Sequence, residues 1–123
     1  MADLSGSWLG TYWEEGIPTR FEASLIQSGN SLSGSILDDS YLGEAQVGGD
    51  VVGRNVSFTK RYLTNSFHSI NYTGTVSEDE NSMQGNWKVG KHTGTWEAHR
   101  SGDNLMAELQ TRLTKQVALT GGK

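Results

Sequence analysis

Four side chains of this sequence have the chemistry to recognise an anion together: the Lys60 ammonium, the Tyr12 and Tyr62 phenols and the His68 imidazole. Each lies in a stretch that alternates apolar and polar residues, at an apolar position, so each is expected on the inner face of a strand. Lys60 would supply the charge, and the other three groups would donate hydrogen bonds. This set predicts a site for a small molecule with an apolar body and an anionic or carboxylate end. The apolar side chains expected beside it are Phe21 and Val89.

The same residues also fit two other interpretations. In the first, Lys60 extends to water at the rim while the tyrosines simply cap a packed core. In the second, Lys60, His68 and Tyr62 exchange protons with a substrate, as in a small isomerase or cyclase. The sequence contains no nucleophile elbow, phosphate-binding loop or paired-carboxylate motif, so binding is favoured over catalysis and no cofactor is expected.

The histidines and the acidic clusters do not follow a metal-site pattern. His68, His92 and His99 fall on different predicted strands, which favours separate surface or rim positions over shared ligation. Asp38-Asp39 and Glu78-Asp79-Glu80 lack the spacing of a calcium-binding loop. We therefore interpret both acidic clusters as solvated turns and expect no metal site.

A short recurring motif indicates how the candidate residues are positioned. In each copy a small polar residue and a glycine precede a second small polar residue and then a large apolar one. The copies are Ser5–Trp8, Ser33–Ile36, Thr73–Val76, Gln84–Trp87 and Thr93–Trp96. Because the glycine and the apolar residue are two positions apart, they share one face of a strand. The glycine leaves room that the next inward residue is expected to fill, which suits strands bent around a small interior.

Eight strand-like runs follow one another along the chain, separated by turn signals such as Gly16-Ile17-Pro18, Gly29-Asn30 and Gly90-Lys91. The runs cover about 5–14, 19–28, 31–38, 42–50, 54–63, 67–77, 82–90 and 92–100. In the fourth run, Gly48-Gly49 predicts a bulge. The alternation of apolar and polar residues predicts one buried and one wet face. We therefore predict an all-β fold, an eight-stranded antiparallel up-and-down β-barrel.

The sequence changes character after Arg100, where helix formers replace the strand pattern. An apolar stripe then recurs at helical spacing, made of Leu105, Leu109, Leu113 and Val117. It predicts a C-terminal α-helix over about 104–117. We divide the chain into a barrel over residues 1–100 and a helix and tail over 101–123, which would pack on the barrel, across a mouth, or on a second copy of the protein.

One tryptophan departs from the inward pattern. Trp8, Trp87 and Trp96 share the inward parity, whereas Trp13 has the outward one. Together with Leu9 and Ile26, which are also outward, Trp13 predicts an outer patch for the helix or for a subunit contact. A homo-oligomer formed through this outer face is one expected arrangement.

Composition narrows the class of protein and its partners. The chain has 123 residues, enough for one domain, with 16 glycines, one proline and no cysteine. The net charge of −4 and the lack of a basic stripe argue against nucleic acid as a partner. Neither a secretory signal nor an apolar run of membrane-spanning length is visible, so we expect no membrane partner and a cytoplasmic location.

Strand order also predicts how the barrel closes. In an eight-stranded meander the start of the first strand and the end of the last are neighbours, which places Trp8 beside Arg100 and lets the guanidinium stack on the indole. A Gly-x-Trp on the first strand and an Arg at the end of the last resembles the signature of the calycin superfamily, which includes lipocalins, fatty-acid-binding proteins and avidin-like barrels. Gly6-Ser7-Trp8 and Arg100 match that signature. The stretch from Gly6 to Tyr12 also looks like the first strand of small bacterial domains of this type.

The resemblance implies a barrel with structural roles for Gly6, Trp8 and Arg100 and a generic habit of binding small ligands. The sequence departs from each named branch. It lacks the disulfides of secreted lipocalins and the two helices of fatty-acid-binding proteins, and Leu9 and Gly10 stand where avidin-like proteins begin their polar biotin-binding set. Three functions stay open: a small-ligand-binding barrel, a packed barrel that acts as an interaction or inhibitor module, and a small cofactor-free enzyme.

Overall fold

The computed structural model of the chain describes residues 3–40, 43–63 and 69–101, and these form a closed antiparallel barrel of eight strands. The strands are β1 (Gly6–Glu14), β2 (Ile17–Ser28), β3 (Ser31–Asp38), β4 (Glu44–Val52), β5 (Asn55–Tyr62), β6 (Ser69–Val76), β7 (Ser82–Val89) and β8 (His92–Arg100). Each strand pairs with the next, and β1 pairs with β8 to close the sheet. The predicted fold class is confirmed. The predicted helix over 104–117 lies outside the described residues, and among those residues no helix has the length and apolarity needed to cross a membrane.

The strands are joined at four places by two-residue turns that carry a glycine with positive φ. Gly29, Gly53 and Gly90 have φ of 60°, 63° and 59°, a backbone region in which a side chain is disfavoured. The first turn differs from the prediction. Glu15 and Gly16 form it, with φ of 50° and 83°, and Ile17 and Pro18 already belong to β2. Proline is tolerated there because it stands at the start of the strand.

The bulge predicted at Gly48-Gly49 is absent. The register of β4 runs without interruption past both neighbours, with Gly49 opposite Leu32 on β3 and Phe58 on β5. A Cβ on Gly49 would lie 2.5 Å from the Phe58 Cα and 2.0 Å from the Ser57 carbonyl oxygen. The glycine is therefore explained by the close approach of β5 and the Phe58 side chain, and no extra residue is inserted.

Other inward glycines are covered in a comparable way by aromatic rings. A Cβ on Gly10 would lie 2.3 Å from the Phe21 ring, and one on Gly94 would lie 2.6 Å from the Trp87 indole. In both cases the ring comes from the neighbouring strand, so the expectation that the next residue along the same strand fills the space is wrong. Among the glycines of the recurring motif, Gly74 and Gly94 have a tryptophan ring from another strand against them, whereas Gly34 and Gly85 are met first by the backbone of the neighbouring strand.

The tryptophan rings are fixed by hydrogen bonds to backbone carbonyls. The Trp96 indole nitrogen donates to the Thr73 and Asn86 carbonyl oxygens at 3.1 and 3.2 Å. The Trp87 indole nitrogen donates to the Trp13 carbonyl oxygen at 3.1 Å. Each buried N–H therefore has a partner, as burial of a polar group requires.

One end of the barrel, which we call the base, is closed by Arg100. Its guanidinium carbon lies 4.5 Å from the centre of the Trp8 ring, in the stacked arrangement that strand order predicts. The guanidinium also donates to the carbonyl oxygens of Asp3, Ser5 and Glu80 at 2.8 Å each. Leu4 is fully buried beneath this layer and accepts the Trp8 indole N–H at 2.9 Å. The N-terminal residues thus cover the base.

The opposite end, which we call the distal end, carries the connections 15–16, 39–43, 63–68 and 90–91. The inward face between the two ends forms one continuous core in which most side chains are almost fully buried. Towards the distal end the burial is less complete. Tyr12, Ile70 and Val89 are only partly buried where they pack against that core.

Candidate functional site

A buried ion pair lies inside the barrel near the distal end. Lys60 on β5 is fully buried and Asp38 at the end of β3 is 4 % exposed. The Lys60 Nζ lies 2.6 Å from the Asp38 Oδ1 and 2.8 Å from its Oδ2. Inward parity places both groups: Lys60 stands between the inward Phe58 and Tyr62, and Asp38 continues the inward series of β3 after Ile36.

Two tyrosines complete the surroundings of the Asp38 carboxylate. The Tyr12 hydroxyl donates to Oδ2 at 3.0 Å, and the Tyr62 hydroxyl makes a short hydrogen bond to the same oxygen. With the two contacts from Lys60, the carboxylate accepts four hydrogen bonds. A buried charge is tolerated when it is paired and hydrogen-bonded in this way.

Aromatic rings surround the ammonium of Lys60 on its other sides. The Nζ lies 4.7 Å from the Tyr12 ring centre, 4.8 Å from Tyr62 and 5.7 Å from Tyr72. The Phe21 ring centre lies 6.0 Å away. These distances permit cation–π attraction, which is stronger in a site without water. We call Asp38, Lys60, Tyr12 and Tyr62 the lysine cluster.

The buried surroundings shift the pKa of Lys60 and the pKa of the neighbouring tyrosines in opposite directions. Burial lowers the pKa of Lys60, while the neighbouring Asp38 carboxylate opposes that shift. Burial also raises the pKa of Tyr12, Tyr62 and Tyr72 above the usual value for a phenol. At neutral pH the phenols therefore keep their protons and act as hydrogen-bond donors to the carboxylate.

The structure brings together four of the residues predicted for a ligand site: Tyr12, Phe21, Lys60 and Tyr62. Val89, the last residue of β7, lies half-buried at the distal end. His68 lies outside the described residues. The alternative in which Lys60 reaches water at the rim is wrong, because its side chain is fully buried against Asp38.

Sequence reasoning missed Asp38. The prediction that Asp38-Asp39 forms a solvated turn holds for Asp39, which is exposed, and is wrong for Asp38. One signal for an inward Asp38 is present in the sequence. Leu32, Gly34, Ile36 and Asp38 are two positions apart, so Asp38 lies on the same inward face as the residues before it. The carboxylate is favoured inside only because Lys60 arrives from another strand, and that partnership is not local in sequence.

The other candidate groups stay apart. His92 and His99 are exposed, and His99 lies 3.9 Å from Glu97 on the outer surface. Within residues 3–40, 43–63 and 69–101 no group of three His, Asp or Glu side chains is placed to hold a metal ion. Trp13 is half-buried on the outer face, where it lines an open groove with Thr73 and Thr95.

Comparison with known proteins supports the fold of this chain and identifies neither a family nor a function. No protein-family model matches the chain, and a search of curated proteins finds no match. Among solved structures, a redesigned β-barrel is similar with a TM-score of 0.66 and 13% identity, covering 80% of this chain and 92% of that one. A de novo designed fluorescence-activating β-barrel is similar with a TM-score of 0.59 and 13% identity, covering 82% of this chain and 100% of that one. At this identity the likeness supports the eight-stranded barrel architecture alone.

Proposed function

We propose that the protein binds a small molecule with an apolar body and a carboxylate or similar anionic end, at the distal end of the barrel. The observation that carries this proposal is the convergence of Lys60, Tyr12 and Tyr62 on one carboxylate. These are the groups that the sequence suggested as anion-binding donors. The carboxylate they hold belongs to Asp38, so the anion subsite is already built and is filled by the chain itself.

A ligand carboxylate would enter by exchange with Asp38. The exchange keeps the number of buried charges constant, because one carboxylate leaves the ammonium as another arrives. Asp38 is suited to this role since it is the last residue of β3 and adjoins the connection 39–43. Once released, its carboxylate would be hydrated at the rim.

The apolar body of the ligand would then lie towards the mouth. Tyr12, Ile70 and Val89 are partly buried apolar surfaces at this end, and apolar contact with them would add to the affinity. Two more general observations also support the proposal. An eight-stranded barrel is wide enough for packed side chains or one small ligand, and one of the similar designed barrels is described as fluorescence-activating.

The first experiment empties the subsite. We expect the Asp38→Ala variant to be destabilised and its Tm to rise on addition of sodium acetate, beyond the rise in sodium chloride of equal ionic strength. The double variant Asp38→Ala with Lys60→Met is the control and should not respond to acetate. An equal response to acetate and chloride in Asp38→Ala would contradict the proposal.

The second experiment uses the wild-type protein. Decanoate and decanol have the same alkyl chain, so a carboxylate subsite predicts tighter binding of decanoate by calorimetry. Lys60→Met should abolish this preference, provided that circular dichroism shows the variant to be folded. Equal affinities for the two probes, or an unchanged decanoate affinity in Lys60→Met, would refute the anion-binding role.

The complete burial of Lys60 favours a second candidate function, that of a packed barrel acting through its outer face as an interaction or inhibitor module. Native mass spectrometry of the protein purified from its own host separates the two. A bound small molecule supports the ligand-binding function, whereas a stoichiometric protein partner without a small molecule supports the interaction module.

A further inference from the structure

An open groove follows the outer face of the barrel across β1, β2 and β3. Its first part, of about 470 Å³, has Ser7, Ser24 and Ser35 as its small-residue floor. These serines are direct cross-strand neighbours, Ser7 opposite Ser24 and Ser24 opposite Ser35. Three small side chains in one row leave a shallow channel in the outer surface.

The groove continues towards the distal end into a second part of about 480 Å³. The two parts share Leu9, Glu22 and Leu37, which form one cross-strand row. Leu37 is 53% exposed, and the nearby Ile26, also outward on β2, is 65% exposed. Ile26 lies outside the lining of the groove, which thus combines a small-residue floor with the exposed Leu37 and the half-buried Leu9, a surface that an apolar stripe of a helix can cover.

The chain leaves the barrel beside this groove. Ser101 lines its first part, and the Ser101 amide donates to the Ser7 carbonyl oxygen at 2.7 Å. Ser101, the last described residue, therefore lies beside the serine floor. A 14-residue helix over 104–117 would be about 21 Å long at a rise of about 1.5 Å per residue. The outer face of β1 from Ser7 to Trp13 has a similar length, about 20 Å at about 3.3 Å per residue.

Charge is also complementary between the groove and the segment. The carboxylates of Glu22, Glu44 and Glu97 line the two parts of the groove and outnumber the guanidinium of Arg20, which lines the second part. In a helix the segment would carry Arg112 beside the apolar stripe of Leu105, Leu109 and Leu113, with Glu108 and Lys115 farther along the same flank, so its net charge over 104–117 is positive. Opposite charges at the rim of an apolar contact favour one orientation and one partner.

We propose that residues 104–117 of the same chain dock in this groove, with the leucine stripe against Leu9 and Leu37. Connection through Ser101 gives the segment a high effective concentration at the groove, which favours the chain's own segment over a second copy. This proposal does not depend on the ligand-binding function. Asp38 borders the second part of the groove, but the leucines that would hold the segment face outward, whereas the lysine cluster faces the interior.

Cysteine pairs test the placement directly, because the chain contains no cysteine of its own. Leu37→Cys is combined in turn with Leu105→Cys, Leu109→Cys and Leu113→Cys in the full chain at low micromolar concentration. At least one pair should form an intramolecular disulfide under mild oxidation, detected by mass spectrometry of the monomer. The matched control combines Asn86→Cys, on the outer face of β7, with the same three positions and should stay reduced. Disulfide-linked dimers, or equal cross-linking at Asn86, would overturn the proposal.

Proteolysis of the cysteine-free protein gives an independent readout. Trypsin cleaves after Arg112 and Lys115, and its rate at these sites follows the fraction of time that the segment is undocked. Leu37→Asp should raise that rate by about fivefold or more, since it places a carboxylate in the apolar contact. The control is Leu63→Asp, because Leu63 is 52% exposed but does not line the groove. Equal cleavage rates in wild type and Leu37→Asp would contradict docking in this groove.

Discussion

Lys60 and Asp38 join β5 to β3 across the interior, although these two strands are separated by β4 and share no backbone pairing. The Tyr12 hydroxyl on β1 reaches the same carboxylate. One polar cluster thus links three strands that the sheet itself does not place side by side. A cluster of this kind holds the three strands in one arrangement only when all of its members are present. Substitution of single members therefore tests how much the cluster contributes to the free energy of unfolding.

We expect the ion pair to behave as a unit. Removal of one partner leaves an uncompensated buried charge, so Lys60→Met and Asp38→Asn should each lower the free energy of unfolding by about 3–5 kcal/mol. The double variant should lose less than the sum of the two, because it leaves neither charge behind. Urea denaturation of the four proteins measures this coupling.

The exposed Lys88 on β7 provides the control for that cycle, and Lys88→Met should change stability by no more than about 0.5 kcal/mol. Additive losses in the double variant would contradict an energetic coupling between Lys60 and Asp38.

The buried tyrosines predict a loss of stability at alkaline pH. Burial raises the pKa of Tyr12, Tyr62 and Tyr72 in the folded protein, so above about pH 10 the unfolded chain releases phenol protons that the folded protein keeps. Each such tyrosine contributes a fall of up to about 1.4 kcal/mol per pH unit as the pH rises beyond this value. The lowered pKa of Lys60 acts in the opposite direction, but only below the ordinary lysine pKa of about 10.4, because above that value neither the folded nor the unfolded chain keeps this proton.

The free energy of unfolding, measured in urea at several pH values between 8 and 12, should therefore hold or rise up to about pH 10 and decrease above it. Tyr62→Phe should show a shallower decrease, because it removes one of the three phenols whose pKa is raised. A wild-type stability that stays constant up to pH 12 would refute the neutral, buried state of these phenols.

Much of the barrel could be predicted from local pattern alone. Side-chain alternation assigns the inward set of seven strands, and the position of Trp8 and Arg100 on the first and last strands indicates closure. Both signals are local, since each needs only the spacing of residues within one strand and the order of the strands. The fold class follows from them without knowledge of any contact.

The site was less accessible to sequence reasoning because its polar members depend on partners from distant strands. Parity identifies Lys60, Tyr12 and Tyr62 as inward residues, but two adjacent acids at the end of β3 are typical of a turn, and this local pattern predicts a solvated Asp38. Gly49 was misread for the same reason, since nothing local shows that Phe58 on the next strand lies against it. In both cases, contact with a residue of another strand explains why the residue stands where it does.

The adjacent glycines of β4 give a matched pair of substitutions. A Cβ on Gly49 would overlap the Ser57 carbonyl oxygen and the Phe58 backbone, whereas one on Gly48 meets nothing within 4 Å. We expect Gly49→Ala to lower the free energy of unfolding by about 3 kcal/mol or more, since rigid backbone must move. Gly48→Ala should be neutral or stabilising by up to about 1 kcal/mol. Thermal denaturation of the two variants tests this, and similar Tm values would contradict the assigned inward and outward faces.

The base should depend on the shape of the Arg100 side chain as well as on its charge. Its guanidinium stacks on Trp8 and at the same time donates to the carbonyl oxygens of Asp3, Ser5 and Glu80. A lysine keeps the charge but cannot form this planar, multidentate arrangement. Arg100→Lys should therefore lower the free energy of unfolding by about 2–3 kcal/mol, from lost hydrogen bonds to a charged group.

A conservative change at an exposed arginine separates this effect from the general consequences of replacing arginine by lysine. Arg54 lies exposed in the turn between β4 and β5, and Arg54→Lys should change stability by no more than about 0.5 kcal/mol. Hydrogen exchange adds a local readout, because loss of the Arg100 contacts should release the N-terminal residues and speed exchange at the Leu4 amide, which donates to the Gln27 side chain. If Arg100→Lys matches Arg54→Lys in stability and in Leu4 exchange, the base is held by packing of Leu4 and Trp8 alone and the guanidinium adds nothing to it.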